Sequence, residues 1–296
     1  MRNRFAIVLA CALIAAPALA AELTGTLKKI KDTNSITLGH RESSIPFSYY
    51  DDQQHVIGYS HDFQMKIVAA IKRDLNLPNL QVRYNPVTSQ NRIPLVQNGT
   101  VDIECGSTTN NLERQKQVGF SDTIFIIGTR LLTRKDSGVK DFADLAGKNV
   151  VTTAGTTSER LLRKMNEDKH MGMNIISAKD HGESFLTLQT GRAVAFMMDD
   201  ALLYGELAKA KHPEDWIVTG TPQSREAYGC MLRKDDAPFK KLVDDTIAAT
   251  MKSGEAEKFY VKWFENPIPP KGLNLRFPMS DDMKALYKNP NDKAFQ

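Results

Sequence analysis

Val101-Asp102-Ile103-Glu104-Cys105-Gly106-Ser107-Thr108-Thr109-Asn110-Asn111-Leu112-Glu113-Arg114 is the stretch whose reading decides the fold. Val101 to Cys105 alternates apolar and polar residues, the pattern of a short strand. Small hydroxyl residues follow, then a helix start with Arg114 in its first turns. A strand that runs through hydroxyls into a helix start gathers backbone N–H groups, hydroxyls and one guanidinium around a single point. Such a point suits a carboxylate.

Working towards the N-terminus, Leu80 to Thr88 alternates as a strand, and Gln90 to Gln97 reads as a short helix ended by Asn98-Gly99. Asp62 to Leu75 carries Phe63, Ile67, Val68, Ile71 and Leu75 at helical spacing, and Ser35 to His40 reads as a first strand. The order is β-α-β-α-β. Towards the C-terminus it recurs. Lys148–Thr153, Met173–Ser177 and Ala193–Met198 are strands, and Ser158–Asn166, Glu183–Gln189 and Ala201–Lys211 are helices. This alternation predicts an α/β protein of two lobes, each a mostly parallel sheet flanked by helices. Ser121 to Thr133 is extended and apolar and is expected to cross between lobes; Gln223 to Leu232 is expected to return. Phe239 to Phe264 reads as helical, with a break near Ser253-Gly254. The expected lobes are 21–127 plus 228–296, and 128–227, joined by a two-segment hinge.

Met1–Ala20 has the pattern of an export signal. Arg2 and Arg4 precede an apolar run, and Ala18-Leu19-Ala20 offers a small-residue cleavage site. A periplasmic location is therefore expected. Lipidation at Cys11 is the weaker alternative, because few apolar residues precede it. The formal charge of +4 falls to +2 once Arg2 and Arg4 are removed, and basic and acidic residues are interspersed. Nothing here favours nucleic acid, and no later run is apolar enough for membrane insertion of the mature chain. Cys105 and Cys230 remain after cleavage, a disulfide candidate in an oxidising compartment, with two buried thiols as the alternative. No spacing of a metal or nucleotide site occurs, so no cofactor and no metal are expected.

Ligands of open α/β sheets sit beyond the carboxyl ends of strands. The polar residues there include Arg41, Ser89, Arg92, Ser107, Thr109 and Arg114 in the first unit. Thr156, Thr157, Ser158, His181, Asp199 and Asp200 stand there in the second. Taken singly, each has a plain structural role as an N-cap, a turn residue or half of a surface ion pair, and Asp200 reads as a helix N-cap. Their convergence is the informative feature. Arg114, Thr109 and Thr157 can hold one carboxylate; Asp199 and the Ser107 oxygen can accept from an ammonium. Arg41, Arg92, Ser89 and His181 leave a surplus of positive donors that suits a second carboxylate. A neutral amino acid would leave guanidinium buried and unpaired.

Gly39-His40-Arg41-Glu42-Ser43-Ser44-Ile45-Pro46-Phe47, Thr88-Ser89-Gln90-Asn91-Arg92-Ile93-Pro94-Leu95 and Gly106–Arg114 closely resemble the glutamate/aspartate-binding proteins of bacterial ABC transporters, within solute-binding protein family 3. So do Ser177-Ala178-Lys179-Asp180-His181-Gly182, Ala195–Leu202 and Asn266-Pro267-Ile268-Pro269-Pro270. The resemblance covers nearly all of the mature chain. It implies a two-lobed monomer that closes on L-glutamate or L-aspartate and delivers it to an inner-membrane ABC permease in transient contact. It also implies that Arg114, Thr109 and Thr157 hold the α-carboxylate, and that Ser107 and Asp199 hold the α-ammonium. Arg41, Ser89, Arg92 and His181 then hold the side-chain carboxylate. The order among Thr156, Thr157 and Ser158 stays open. Two other classes compete: an enzyme using His181 with Asp199 or Asp180 as an acid/base set, and the sensing ectodomain of a receptor.

Overall fold

The structure is a computed structural model that describes residues 22–295. The expected signal segment Met1–Ala20, with Cys11, lies outside the described residues.

Ser35–His40 is buried along nearly its whole length, as a strand covered on both faces must be. It pairs in parallel with Gln81–Pro86 and with Ile103–Glu104. The return strand Glu226–Leu232 inserts antiparallel between Ile103–Glu104 and Gly119–Ile127, completing a five-stranded sheet. A second five-stranded sheet is built the same way. Asn149–Thr153 is parallel to Asn174–Ala178 and Ala195–Asp199, and Thr129–Arg134 and Trp216–Thr219 add antiparallel strands.

Helices cover these sheets for reasons visible in their sequences. Tyr59–Asp74 buries Phe63, Ile67, Val68 and Ile71 on one face. Thr157–Asp168 starts at Thr156, whose Oγ1 accepts from the Glu159 N–H at 3.0 Å. His181–Gln189 starts at Asp180, which accepts from the Glu183 N–H at 2.9 Å. Both helices therefore begin at the carboxyl end of a second-sheet strand, with their N-termini towards the first sheet.

The expected single crossing strand from Ser121 to Thr133 is two strands. Gly119–Ile127 pairs in the first sheet and Thr129–Arg134 in the second, and the chain changes sheet at Gly128. The return segment is bonded to this crossover: Gln223 N donates to Thr129 O at 3.0 Å, and the hydroxyls of Thr129 and Ser224 are 2.7 Å apart. The expected helix from Phe239 onwards runs as Ala237–Lys252 and Glu255–Tyr260, ending in a π turn at Val261–Glu265. The sequence reading did not anticipate the helices Gly25–Thr33 and Asp281–Lys288, nor the small antiparallel sheet of Ser43–Ser44, Ser48–Tyr50 and Val56–Ile57.

Phe47, Tyr59, Phe125, Tyr228, Tyr260 and Phe264 pack as one aromatic cluster, with Phe125 to Phe264 at 4.8 Å and Phe47 to Phe125 at 4.9 Å between centroids. Each such pair adds about 1 kcal/mol beyond its buried area. Phe125 and Tyr228 stand on the strands that lead into and out of the crossover, so the cluster gives the hinge a rigid floor. Cys105 and Cys230 are disulfide-bonded across 125 residues of sequence. The bond ties the root of the Gly106–Arg114 loop to the return strand.

Candidate functional site

Three buried arginines define the site. Arg41 leaves the end of Ser35–His40 and is held by its own N–H, which donates to Ser48 Oγ at 3.0 Å. Its guanidinium reaches Ser107 Oγ at 3.4 Å. Arg92 opens the short helix Arg92–Gln97 and donates to the Ser107 carbonyl at 3.0 Å and to Thr108 Oγ1. Arg114 donates to the Thr109 carbonyl at 2.9 Å and, across the cleft, to the Gly155 carbonyl at 3.3 Å. All three are at most 4% exposed. Among the described residues none of them lies within ion-pair distance of a carboxylate. Burial, and for Arg41 and Arg114 the neighbouring Arg92, lowers the pKa of Arg41 to about 10 and of Arg114 to about 9, and burial lowers that of Arg92. All three stay charged at neutral pH. Buried charge without an ion pair is costly, so the site favours an anion.

The opposite wall comes from the second sheet. Asp199, 4% exposed, accepts from Thr129 Oγ1 at 2.9 Å, Ser158 Oγ at 3.3 Å and the Tyr228 hydroxyl. Burial and then Glu226 raise its pKa to about 7. Thr157 Oγ1 stands 3.4 Å from Thr109 Oγ1 and donates to Glu226 at 3.1 Å, so it joins the helix that begins at the second sheet to the first sheet's loop and return strand. Thr156 is occupied by its cap and by the Thr153 carbonyl, and Ser158 by Asp199. That leaves Thr157 as the hydroxyl of the three that faces the first sheet. His181 Nδ1 lies 2.8 Å from Thr153 Oγ1, while its buried Nε2 has no partner. Burial, then Arg41 and Arg92, push the His181 pKa well below the usual range, so the ring is neutral.

The structure brings the sequence-predicted residues together. Arg41, Ser107 and Arg92 are directly bonded, as are Thr109, Arg114 and Thr157. Asp199 joins them through Ser158, and Ser89 faces a groove of about 410 Å³ shared with Arg114, Gly155 and Thr156. The walls are in contact. Gly155, at φ +77, sits so close to Gln90 that a Cβ there would lie 2.8–2.9 Å from it. Glu113 and Arg160 form an ion pair across the cleft mouth.

Two sequence expectations need correction. Asp200 is not the cap of its helix: Asp199 occupies that position and makes no side-chain cap bond, because its oxygens are committed to hydroxyls. The positive surplus is also smaller than the sequence implied. His181 is neutral, and Glu104, fully buried, accepts from Thr108 Oγ1 at 2.7 Å beside Arg92. Glu104 did not carry the signal that singled out Asp199, because Val101–Cys105 alternates apolar and polar residues while the run before Asp199 is wholly apolar. Glu226 and Tyr228 carried no comparable signal.

A family model of bacterial extracellular solute-binding proteins, family 3, matches residues 36–266. The chain belongs to that family. This solute-binding protein is 71% identical over 284 residues to the L-glutamate/L-aspartate-binding protein of Pseudomonas aeruginosa, covering 96% of this chain and 94% of the relative. It is 65% identical over 289 residues to the glutamate/aspartate import solute-binding protein of Escherichia coli K12, covering 98% and 96%. Among solved structures, a mutant of ArgBP from T. maritima superposes with a TM-score of 0.72 at 27% identity, covering 81% of this chain and all of that one. The names of the two curated relatives are those of binding proteins, one of them for import. In the solute-binding protein itself, Asp180 is committed to capping its helix and Asp199 to three hydroxyls, so neither stands as a free base beside His181. No helix among the described residues is long and apolar enough to cross a membrane.

Proposed function

We propose that the chain is the substrate-binding component of an ABC importer, holding L-glutamate or L-aspartate between its two sheets and passing it to an inner-membrane permease. Arg114, Thr109 and Thr157 receive the α-carboxylate. Asp199 and the Ser107 oxygen receive the α-ammonium. Arg41, Ser89, Arg92 and His181 receive the side-chain carboxylate. The observation that carries this reading is the pair of buried guanidinium groups, Arg41 and Arg92, that share Ser107 and have no ion-pair partner. The buried Ser89 Oγ, Arg92 Nε and His181 Nε2, all without partners, support it. The names of the close relatives point to the same ligands.

The lobes are 22–127 plus 226–295, and 128–225, since Glu226 and Ala227 pair with Ile127 and Ile126 of the first sheet, with the hinge where the bonded crossovers meet. Both walls touch ligand only when the cleft is shut, so ligand shifts an open–closed equilibrium, and the closed form is what the permease engages. The mature protein acts as a periplasmic monomer after cleavage near Ala20, with transient permease contact.

Isothermal calorimetry on ligand-stripped, refolded protein tests this. One-to-one binding of glutamate and aspartate, with glutamine and arginine silent, is the expected result. Binding of glutamine, or of none of the four, would remove Arg41 and Arg92 from the ligand's side-chain end.

A further inference from the structure

Glu104 is buried completely at the end of Ile103–Glu104, and nothing in the ligand assignment uses it. Its Oε2 accepts from Thr108 Oγ1 at 2.7 Å, and Thr108 Oγ1 in turn accepts from Arg92. Its Oε1 is buried without a partner. Gly106 explains how the carboxylate fits there. A Cβ on that residue would overlap Glu104 Oε1 and lie 3.0 Å from Arg41 Cγ, so only glycine lets the carboxylate and the Arg41 stem share the space. Arg41 and Arg92 therefore flank one acidic group within the protein. Arg114 and His40 also feel its charge; Asp199 and Tyr228 face Arg92, Asp180 and Tyr228 face Arg41, and Lys209 stands near His181, whose ring is neutral. Within the Arg41–Arg92 pair, one internal anion offsets one of the two positive charges.

We propose that Glu104 is a specificity-determining positioning residue: it orients Arg92 through Thr108 and returns one negative charge to the Arg41–Arg92 pair, so the pocket accepts a side-chain anion of one charge and disfavours one of two. The proposal rests on the reading that the ligand's side-chain carboxylate meets those arginines. Carboxylates of glutamate and aspartate satisfy this count; a phosphomonoester does not.

Two ligands of glutamate's length separate charge from shape. L-homocysteate ends in a singly charged sulfonate, and O-phospho-L-serine in a phosphate that carries close to two charges above its second pKa of about 6. Both heads are tetrahedral. Calorimetry of the natural protein with glutamate comes first, because absence of glutamate binding overturns the functional reading itself and this proposal with it. Once glutamate binding is established, the ligand-stripped natural protein is expected to bind homocysteate more tightly than phosphoserine at neutral pH. The gap should narrow as pH falls through about 6 and phosphoserine becomes singly charged. Homocysteate serves as the reference, since the protein's own titrations act on both ligands. In Glu104→Gln the ratio of phosphoserine to homocysteate affinity should rise by about tenfold or more. That is the size expected for one unit charge several ångström away at an effective dielectric of about 20.

A merely structural Glu104 would weaken both ligands in proportion and leave the ratio unchanged, which overturns the proposal. So does absence of phosphoserine binding by a folded Glu104→Gln protein. Should that variant fail to fold, the pH arm on the natural protein decides: a ratio that does not move through about pH 6 overturns it as well.

Discussion

The two ends of the cleft satisfy their polar groups differently. At one end, Arg114 already donates to the carbonyls of Thr109 and Gly155, and Asp199 already accepts from Thr129, Ser158 and Tyr228. At the other end, Ser89 Oγ, Arg92 Nε and His181 Nε2 are buried with no partner. The first end is pre-organised by the protein; the second depends on what enters it. A group every amino acid carries can be met by a rigid, self-satisfied frame. A group only some carry is best met by donors that cost free energy until the right ligand supplies the acceptor.

The sharpest way to break this contrast is Arg92→Ala. Removing a donor at the dependent end should cost glutamate about 3 kcal/mol or more, over about a hundredfold in affinity. The variant should still show a cooperative thermal transition. Calorimetry showing unchanged glutamate affinity would place Arg92 outside the site.

Asp199→Asn probes the pre-organised end and should cost about 2 kcal/mol, alike for glutamate and aspartate. It also carries a pH signature. The Asp199 pKa is raised to about 7 in the folded protein, so below that pH the free protein holds a proton that its unfolded chain, with an ordinary carboxyl, would have released. This group's contribution to stability is therefore present below the ordinary carboxylate range and fades as pH rises towards about 7. A ligand ammonium favours the ionised form, so affinity should climb with pH up to about 7 and flatten above it, with proton release on binding at the lower pH. Calorimetry in two buffers of different ionisation enthalpy measures that release, and Asp199→Asn should abolish it.

Thr157→Val should have the smallest effect, about 1 kcal/mol, roughly fivefold, because one neutral hydroxyl is lost while the backbone donors of its helix remain. If it instead matched Arg92→Ala, the frame would not be self-satisfied and the contrast would fall.

Much of this was legible in the sequence. Ser35–His40 was read to the residue, since its polar neighbours mark both ends of a buried strand. The convergence of Arg41, Arg92 and Arg114 followed from their place after successive strands. What escaped depends on packing between distant segments. Gly128 splits one apolar run into strands of two sheets, and no local pattern distinguishes a strand that changes partner from one that does not. Glu226 and Tyr228 reach the site only because the return strand sits inside the first sheet, a tertiary fact. The counter-charge from Glu104 escaped because its alternation with Ile103 gave it the look of a solvent-facing residue.

The return strand has a consequence for how the molecule comes into being. Counted along the first sheet, Glu226–Leu232 lies between Ile103–Glu104 and Gly119–Ile127, although more than a hundred residues separate it from the former. In a chain made from its N-terminus, both neighbours exist before the strand that lies between them. The second sheet, built wholly from Thr129 to Thr219, can close in the meantime. The first sheet can be completed, and the linkage formed, only once Cys230 is present to meet Cys105. The loop that carries Ser107, Thr109 and Arg114 thus gains its final support late. Competence to capture ligand then reports that the chain has been delivered through its return strand, a form of proofreading built into strand order.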